Sequence, residues 1–379
     1  MTRQLISSRI DSLADLDPQQ LNELTQGRGV FSDPGYLQFM ERMRTQEGVW
    51  YAVARDEESG DLLGVLPIYE GGASVGSYWD PFAHYLRRAA PNEAAKSRPA
   101  TLFVGIRSGF GWAPLIAPHL SSSETAAIWS ALLERVRLPL AAMFLSDAGR
   151  ASLLSAGIPR DEFFLAGATS VIDLRQHQDF ASYVGSLPTP GAVRREKRIF
   201  DASGGEVIFS RLRDQITDFA PLFVALTAKY GHPSSLEDEM DEMVALDDVF
   251  GDRALGAAIW REDRMVAALA LLEHDGTLYL RQIGFDYSLT GAAYEYFNLA
   301  YYSVVEYAIT NGLERIDYGQ GTYRAKHVRG ARVEPLWGLA WNEDGRSILT
   351  NPQFKIWDMK RVAALESGSI DELEGADLP

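Results

Sequence analysis

Residues 317–333 read DYGQGTYRAKHVRGARV, which places Arg324, Lys326, His327, Arg329 and Arg332 within nine positions, directly behind Gly319, Gly321 and Thr322. In a chain of net charge −16, a cationic cluster behind a glycine turn is suited to holding an anion. An ammonium supplies a point charge, and a planar guanidinium grips two oxygens at once. The plain alternative is a solvated loop, which is what most charge runs are. A second basic cluster, Arg194, Arg195, Lys197 and Arg198, is interleaved with Val193, Ile199 and Phe200. It predicts a short helix with a basic face, either lining an RNA-binding groove or simply solvated between domains.

Several chemistries are excluded or disfavoured. There is no cysteine, so disulfides, thiolate nucleophiles and Cys-based metal sites are absent. The six histidines, at 84, 119, 177, 232, 274 and 327, show no HExxH or paired spacing, so no metal is expected. Overall acidity argues against non-specific DNA binding while leaving room for a local basic groove. The first residues, MTRQLISSRIDSLADLD, lack a continuous apolar run, and no stretch of 18 apolar residues follows. The expectation is a cytoplasmic protein with no membrane span.

These residues need elements to position them. At 379 residues, with 46% apolar and 23% charged, the chain predicts two domains. Residues 49–70 read as a hairpin, and 254–286 repeat the design as three strands with a His-Asp-Gly turn. An amphipathic helix follows each, at 121–137 and 294–312, and each helix leads into a short strand, at 141–147 and 313–319. The order strand, strand, strand, helix, strand thus occurs twice, which predicts two similar α/β units. The boundary is expected near residue 180, giving domains 1–179 and 180–379, with a basic inter-domain helix near 190–202. The acidic segment 236–248 reads as a helix with a solvated face.

The stretch YEYFNLAYYSVVEYAITNGLERIDYGQGTYRAKHVRG, residues 294–330, carries a Gly-x-Gly-x-x-x-x-Lys-x-x-Arg-Gly pattern in Gly319, Gly321, Lys326, Arg329 and Gly330. It resembles the FemAB-like branch of the GNAT acyltransferase superfamily, which includes aminoacyl-tRNA-dependent transferases. Weaker similarity extends to VRREKRIFDASGGEV (193–207) and YWDPFAHY (78–85). The resemblance implies an α/β (α+β) fold of two tandem GNAT-like domains, each a mixed, mostly antiparallel sheet flanked by helices. It also implies transfer of an aminoacyl group from tRNA, a co-substrate with no further cofactor, to a small amine, hydroxylamine or cell-wall-type acceptor. Peptidoglycan and specialised metabolite (antibiotic) biosynthesis are the settings it points to. GNAT enzymes that use acyl-CoA cradle its pyrophosphate on a glycine-rich turn at a helix N-terminus. Here FDYSLTGAAYEY (285–296) has one glycine and no basic residue. IRSGFGWAP (106–114) offers Arg107, Gly109 and Gly111 one residue too short. Acyl-CoA remains the alternative donor.

For attack of an amine on an aminoacyl ester, orientation and electrostatics supply most of the rate. On that reading Lys326 faces the developing oxyanion or the terminal phosphate, and Arg329 and Arg324 grip phosphates. Asp317 orients the amine or accepts its proton, while Tyr323 and Tyr318 stack on a terminal base or relay a proton. Arg281 and Glu295 lie near strand and helix ends facing the cleft. Arg194, Arg195, Lys197 and Arg198 guide the RNA. The competing assignments are strand packing for Tyr318 and surface charge for Arg324 and Arg332.

Overall fold

The computed structural model describes residues 4–43, 48–71, 79–95, 98, 100–134, 136–231 and 234–377; Tyr78 and His232 lie outside them. The chain forms two compact units, one of Met1–Thr169 with Pro335–Pro379 and one of Ser170–Glu334.

The first unit is built on β1 (Leu5–Ile10), β2 (Gly48–Asp56), β3 (Leu62–Glu70), β4 (Leu102–Val104), a short β5 (Leu115–Ile116) and β6 (Leu140–Leu145). Strands β1 to β4 pair antiparallel in sequence order, and β5 pairs off β3. The step from β4 to β6 is parallel. A parallel step needs a long crossover, and helix α1 (Ser122–Leu133) supplies it. Ser121 and Glu124 exchange hydrogen bonds as a capping box at its start, as the serines and glutamate there predict.

Strand β7 (Phe164–Asp173) leads into the second unit. There follow α2 (Pro190–Ala202), β8 (Glu206–Arg211), α3 (Ile216–Lys229), α4 (Leu236–Phe250), β9 (Ala254–Arg261), β10 (Arg264–His274) and β11 (Thr277–Phe285). Strands β8 to β11 pair antiparallel in order. The β10–β11 turn places Asp275 and Gly276 at φ +44° and +69°, the geometry that makes Asp-Gly a tight-hairpin signal. A helical run, α5 (residues 295–310), crosses to β12 (Arg315–Asp317), which pairs parallel with β11 and antiparallel with the end of β7. Helix α5 carries a π-helical turn over Asn298–Ser303. The wider turn lets the neighbouring Tyr301 and Tyr302 both reach the interior, each 0% exposed, which a regular 100° step would resist. After α6 (Tyr323–His327), β13 (Arg332–Trp341) returns the chain, and residues 337–341 pair antiparallel with β6 of the first unit. Helices α7 (Pro352–Glu366) and α8 (Ile370–Asp377) follow in that unit.

Each unit is therefore a mixed, mostly antiparallel sheet flanked by helices, with one parallel step bridged by a helix. The expected division at 179/180 is corrected. The second unit ends at Glu334, because β6 needs β13 as its neighbour and β12 needs the last residues of β7. Sheet pairing, with its backbone hydrogen bonds, assigns those segments across the linear boundary. Helix α4 is not acidic by solvation alone. Glu239 and Asp247 are buried, the first accepting from Ser234 and Gln282 and the second from Arg211.

Candidate functional site

The glycine turn of the second unit is where the sequence concentrates its candidates. Strand β12 ends at Asp317, whose Oδ1 accepts the Gly319 N–H at 2.8 Å, the local bond that makes Asp a turn former. Gly319, Gly321 and Thr322 follow at φ +63°, +72° and +46°. Such left-handed positions cost glycine little, and they swing the chain into α6.

The cations behind this turn point inward. Lys326 is 4% exposed, and its Nζ donates to the carbonyls of Tyr318 (2.8 Å), Gly319 (3.0 Å) and Gln320 (2.8 Å). Arg329 is 7% exposed and donates to Glu196 Oε2 (3.2 Å), Ala325 O (3.0 Å) and Tyr302 Oη (3.3 Å), with its guanidinium carbon 3.4 Å from the Phe297 ring centre. Tyr302 in turn donates to Glu196. Burial is the main reason the Tyr302 hydroxyl is pushed far above its ordinary range. Tyr323 is 1% exposed. Tyr318 stacks on Tyr301 with ring centres 4.8 Å apart and planes within 13°. Its hydroxyl is buried without a hydrogen-bond partner among the described residues, and burial pushes it well up.

The expectation that Lys326 and Arg329 face an oxyanion or phosphates is thereby corrected: both are built into the turn. A buried charge must be paired, so the ammonium took three carbonyls of the turn and the guanidinium took Glu196. Asp317 and Tyr323 are likewise packed into the turn, with Asp317 occupied by the Gly319 N–H, not poised as an open base. Arg281 donates to Glu242 on α4 at 3.2 Å, and so stands in an internal ion pair.

The candidates that remain outward-facing lie elsewhere. Arg194, Arg195 and Arg198 on α2 and Arg324 on α6 are exposed. Lys197 is half-buried, 3.5 Å from Glu306. Helix α2 has two faces for a simple reason: Val193, Glu196 and Phe200 recur at helical spacing and are buried, so the arginines between them must face water. Arg195 Nη2 donates to Tyr294 Oη at 3.0 Å, which joins the basic face to the loop 286–294 that precedes α5.

That loop holds Glu295. Its Oε2 accepts the N–H groups of Gly291 (2.9 Å) and Ala293 (3.2 Å), and its Oε1 accepts Arg261 Nη2 (2.5 Å). The residue is 1% exposed. Burial acts to raise its pKa, but its own backbone N–H, that of Gly291, Arg261 and the N–H of Ala293 more than offset that, and the carboxyl lies below its ordinary range. The glycine-rich loop 105–111 of the first unit is packed. A Cβ at Gly109 would lie 2.2 Å from the Phe31 ring, and Arg107 is buried over the Phe103 ring at 4.2 Å.

Sequence reasoning missed Glu196, Arg261 and Phe297 as partners in these networks. Glu196 alone left a signal: it is the one acid of RREKR and sits in the apolar stripe of its own helix.

Comparison with known proteins bears on the fold. Residues 191–327, from α2 to the end of α6, match the acetyltransferase (GNAT) domain model. Among solved structures, FemX aligns with TM-score 0.54 at 9% identity over 89% of this chain and 98% of its own. The C-terminal domain of a protein described as a lysylphosphatidylglycerol synthetase, from Agrobacterium fabrum, aligns with TM-score 0.53 at 10% identity over 90% and 95%. A conserved protein of unknown function from Bacteroides thetaiotaomicron gives 0.54 at 14% over 88% and 100%. No curated protein matches in sequence. Residues 191–327 thus carry a GNAT domain, and the chain has the fold seen in FemX.

Proposed function

We propose that the protein is an aminoacyl-tRNA-dependent transferase that joins an amino acid to a small amine, hydroxylamine or cell-wall-type acceptor. The observation that carries this reading is the loop before α5. At the helix N-terminus where an acyl-CoA diphosphate is bound in GNAT enzymes, the N–H groups of Gly291 and Ala293 are already engaged by Glu295. An acyl donor whose phosphates need that seat is disfavoured. A donor whose phosphates lie along an extended basic face is not. Arg194, Arg195 and Arg198 offer such a face, and Arg324 adds a further exposed cation. A lysylphosphatidylglycerol synthetase, by its name, makes an aminoacylated product, and one shares this fold.

In the reaction, the acceptor nitrogen attacks the ester carbon, the carbon–oxygen bond to the RNA breaks, and the RNA hydroxyl leaves with the proton the amine gives up. The protein's part is alignment and charge stabilisation. The match to an acetyltransferase domain model favours a second reading, ordinary acyl-CoA-dependent N-acylation.

The test is acceptor-dependent deacylation of charged tRNA by the wild-type chain, with RNA binding measured across salt. Binding should weaken steeply between low and moderate salt, and Arg194→Glu, Arg195→Glu and Arg198→Glu together should abolish it. A protein that binds no RNA even at low salt, and whose melting temperature rises with acetyl-CoA, fits the second reading and defeats the first.

A further inference from the structure

In the first unit, alternation along the strands sends Arg9 of β1, Trp50 of β2, Glu70 of β3 and Leu102 of β4 to one face of the sheet, as their pairing registers require. Gly64 shares that face, and a Cβ there would lie 2.8 Å from Ile128 of α1, so this is the face that α1 covers. Beyond the last residue of α1 the face holds a cavity of about 680 Å³, lined by those four residues and by Arg137 and Leu138 on the segment leaving the helix. Cavities of roughly 300–1,000 Å³ are the size of small-molecule sites. Its walls are fixed on one side. Trp50 is buried, its Nε1 donates to Glu70 Oε1 at 2.7 Å, and the Arg9 guanidinium carbon lies 4.7 Å over its ring centre. Arg9 pairs with Glu70 at 3.6 Å and, outside the lining, with Asp11 at 3.0 Å. Arg137 differs. It is exposed, and among the described residues no carboxylate or other acceptor engages its guanidinium. The lining therefore carries one unbalanced positive charge in a chain of net charge −16. Leu102 opens β4, at the other end of that strand from the glycine-rich loop 105–111, and the cavity shares no residue with the glycine turn or with α2.

We propose that this cavity is a second binding site, for a carboxylate carried on an apolar body of amino-acid to dipeptide size. Arg137 takes the carboxylate, whose two oxygens match the planar guanidinium. Leu102 and the 41% exposed Leu138 cover the apolar body, which gains by leaving water. Glu70 sets the sign and the number of charges. A monoanion matches the one unbalanced guanidinium, whereas a dianionic phosphate brings a second negative charge toward the Glu70 carboxylate.

The probe is N-acetylphenylalanine, titrated calorimetrically into the wild-type chain and into Arg137→Met. N-acetylphenylalaninamide is the uncharged control of the same shape, and phenyl phosphate the dianionic one. The acid should bind the wild type with a Kd of about 1 mM or tighter. The amide should bind about 10- to 100-fold more weakly, the factor a hydrogen bond to a charged group supplies, and phenyl phosphate should also bind more weakly than the acid. Arg137→Met keeps the aliphatic stem and removes the charge. It should lose affinity for the acid by the same factor, bind the amide as the wild type does, and melt at the wild-type temperature, since no protein partner is stranded. Should Arg137→Met fail to fold, Arg137→Gln replaces it, and the comparison of acid with amide on the wild type needs neither variant. Absence of acid binding, equal affinities for acid and amide, tighter binding of phenyl phosphate, or a folded Arg137 variant that binds the acid as the wild type does would each overturn the proposal. No measurement here involves RNA or acyl transfer, so the result stands apart from the reading of the donor.

Discussion

Lys326 separates a residue that holds the site from one that works in it. Replacing it with methionine keeps the aliphatic stem and removes the three donors that reach Tyr318, Gly319 and Gln320. The Gly319 carbonyl keeps the Ser170 N–H at 3.0 Å, so the burden falls on the carbonyls of Tyr318 and Gln320. A buried acceptor left without its partner costs about 1–3 kcal/mol. Two of them, less the ammonium desolvation that is no longer incurred, give a net loss of ~3 kcal/mol. For a unit of the size of Ser170–Glu334 this lowers the melting temperature by roughly 6–12 °C. Denaturant unfolding followed by circular dichroism, run beside the transfer assay, reads both quantities. Because a disordered turn also lowers activity, stability is the discriminating measurement. If Lys326→Met unfolds within ~0.5 kcal/mol of wild type while transfer is lost, the ammonium is a contact group for substrate and the structural assignment is wrong.

Two further outcomes follow from buried charges. Glu196→Ala strands the Arg329 guanidinium without its carboxylate and should cost about 3–5 kcal/mol, whereas exposed Arg324→Ala should change stability by less than ~0.5 kcal/mol; equal effects in chemical denaturation would refute the inward assignment of Arg329. In the first unit, Asp358 accepts the Leu165 N–H at 2.8 Å and burial pushes its carboxyl up to about 6, against smaller opposing effects of that N–H, Arg361 and Arg150. A raised carboxyl favours the folded state while protonated, so this contribution is full below the unfolded value near 4 and is lost as pH rises through about 6. Its size is at most about 3 kcal/mol. Asp358→Asn keeps an acceptor for Leu165 and should therefore gain on wild type between pH 4 and 7. Parallel melting-temperature profiles would show that the carboxyl is not perturbed.

Much of this fold could be read from local pattern. Alternating apolar runs gave β2, β3 and β9 to β11, the Asp275-Gly276 pair gave a tight turn, and Ser121 with Glu124 gave the start of α1. Strands β1, β7 and β13 escaped. What identifies them is their neighbours in the sheet, and β13 pairs with β6 from the other end of the chain. The glycine turn was also legible, since only left-handed positions tolerate so abrupt a reversal after β12. The direction of its cations was not. Lys326 and Arg324 lie two residues apart on one short helix, and spacing alone does not tell which one faces the core.

The sequence alone determined the class of molecule. A chain without cysteine, with two α/β repeats, a basic helix and a Gly-x-Gly-x-x-x-x-Lys-x-x-Arg-Gly stretch, resembles the GNAT fold before any coordinate is known, and residues 191–327 match a GNAT domain model. Periodicity and turn chemistry are local, so they survive in one dimension. Tertiary structure decided which charges are available. A buried ion is tolerated only where the fold supplies its partner, and those partners, Glu196 for Arg329 and the turn carbonyls for Lys326, were chosen by packing. The same packing left Arg194, Arg195 and Arg198 in water and tied Glu295 to Gly291, Ala293 and Arg261.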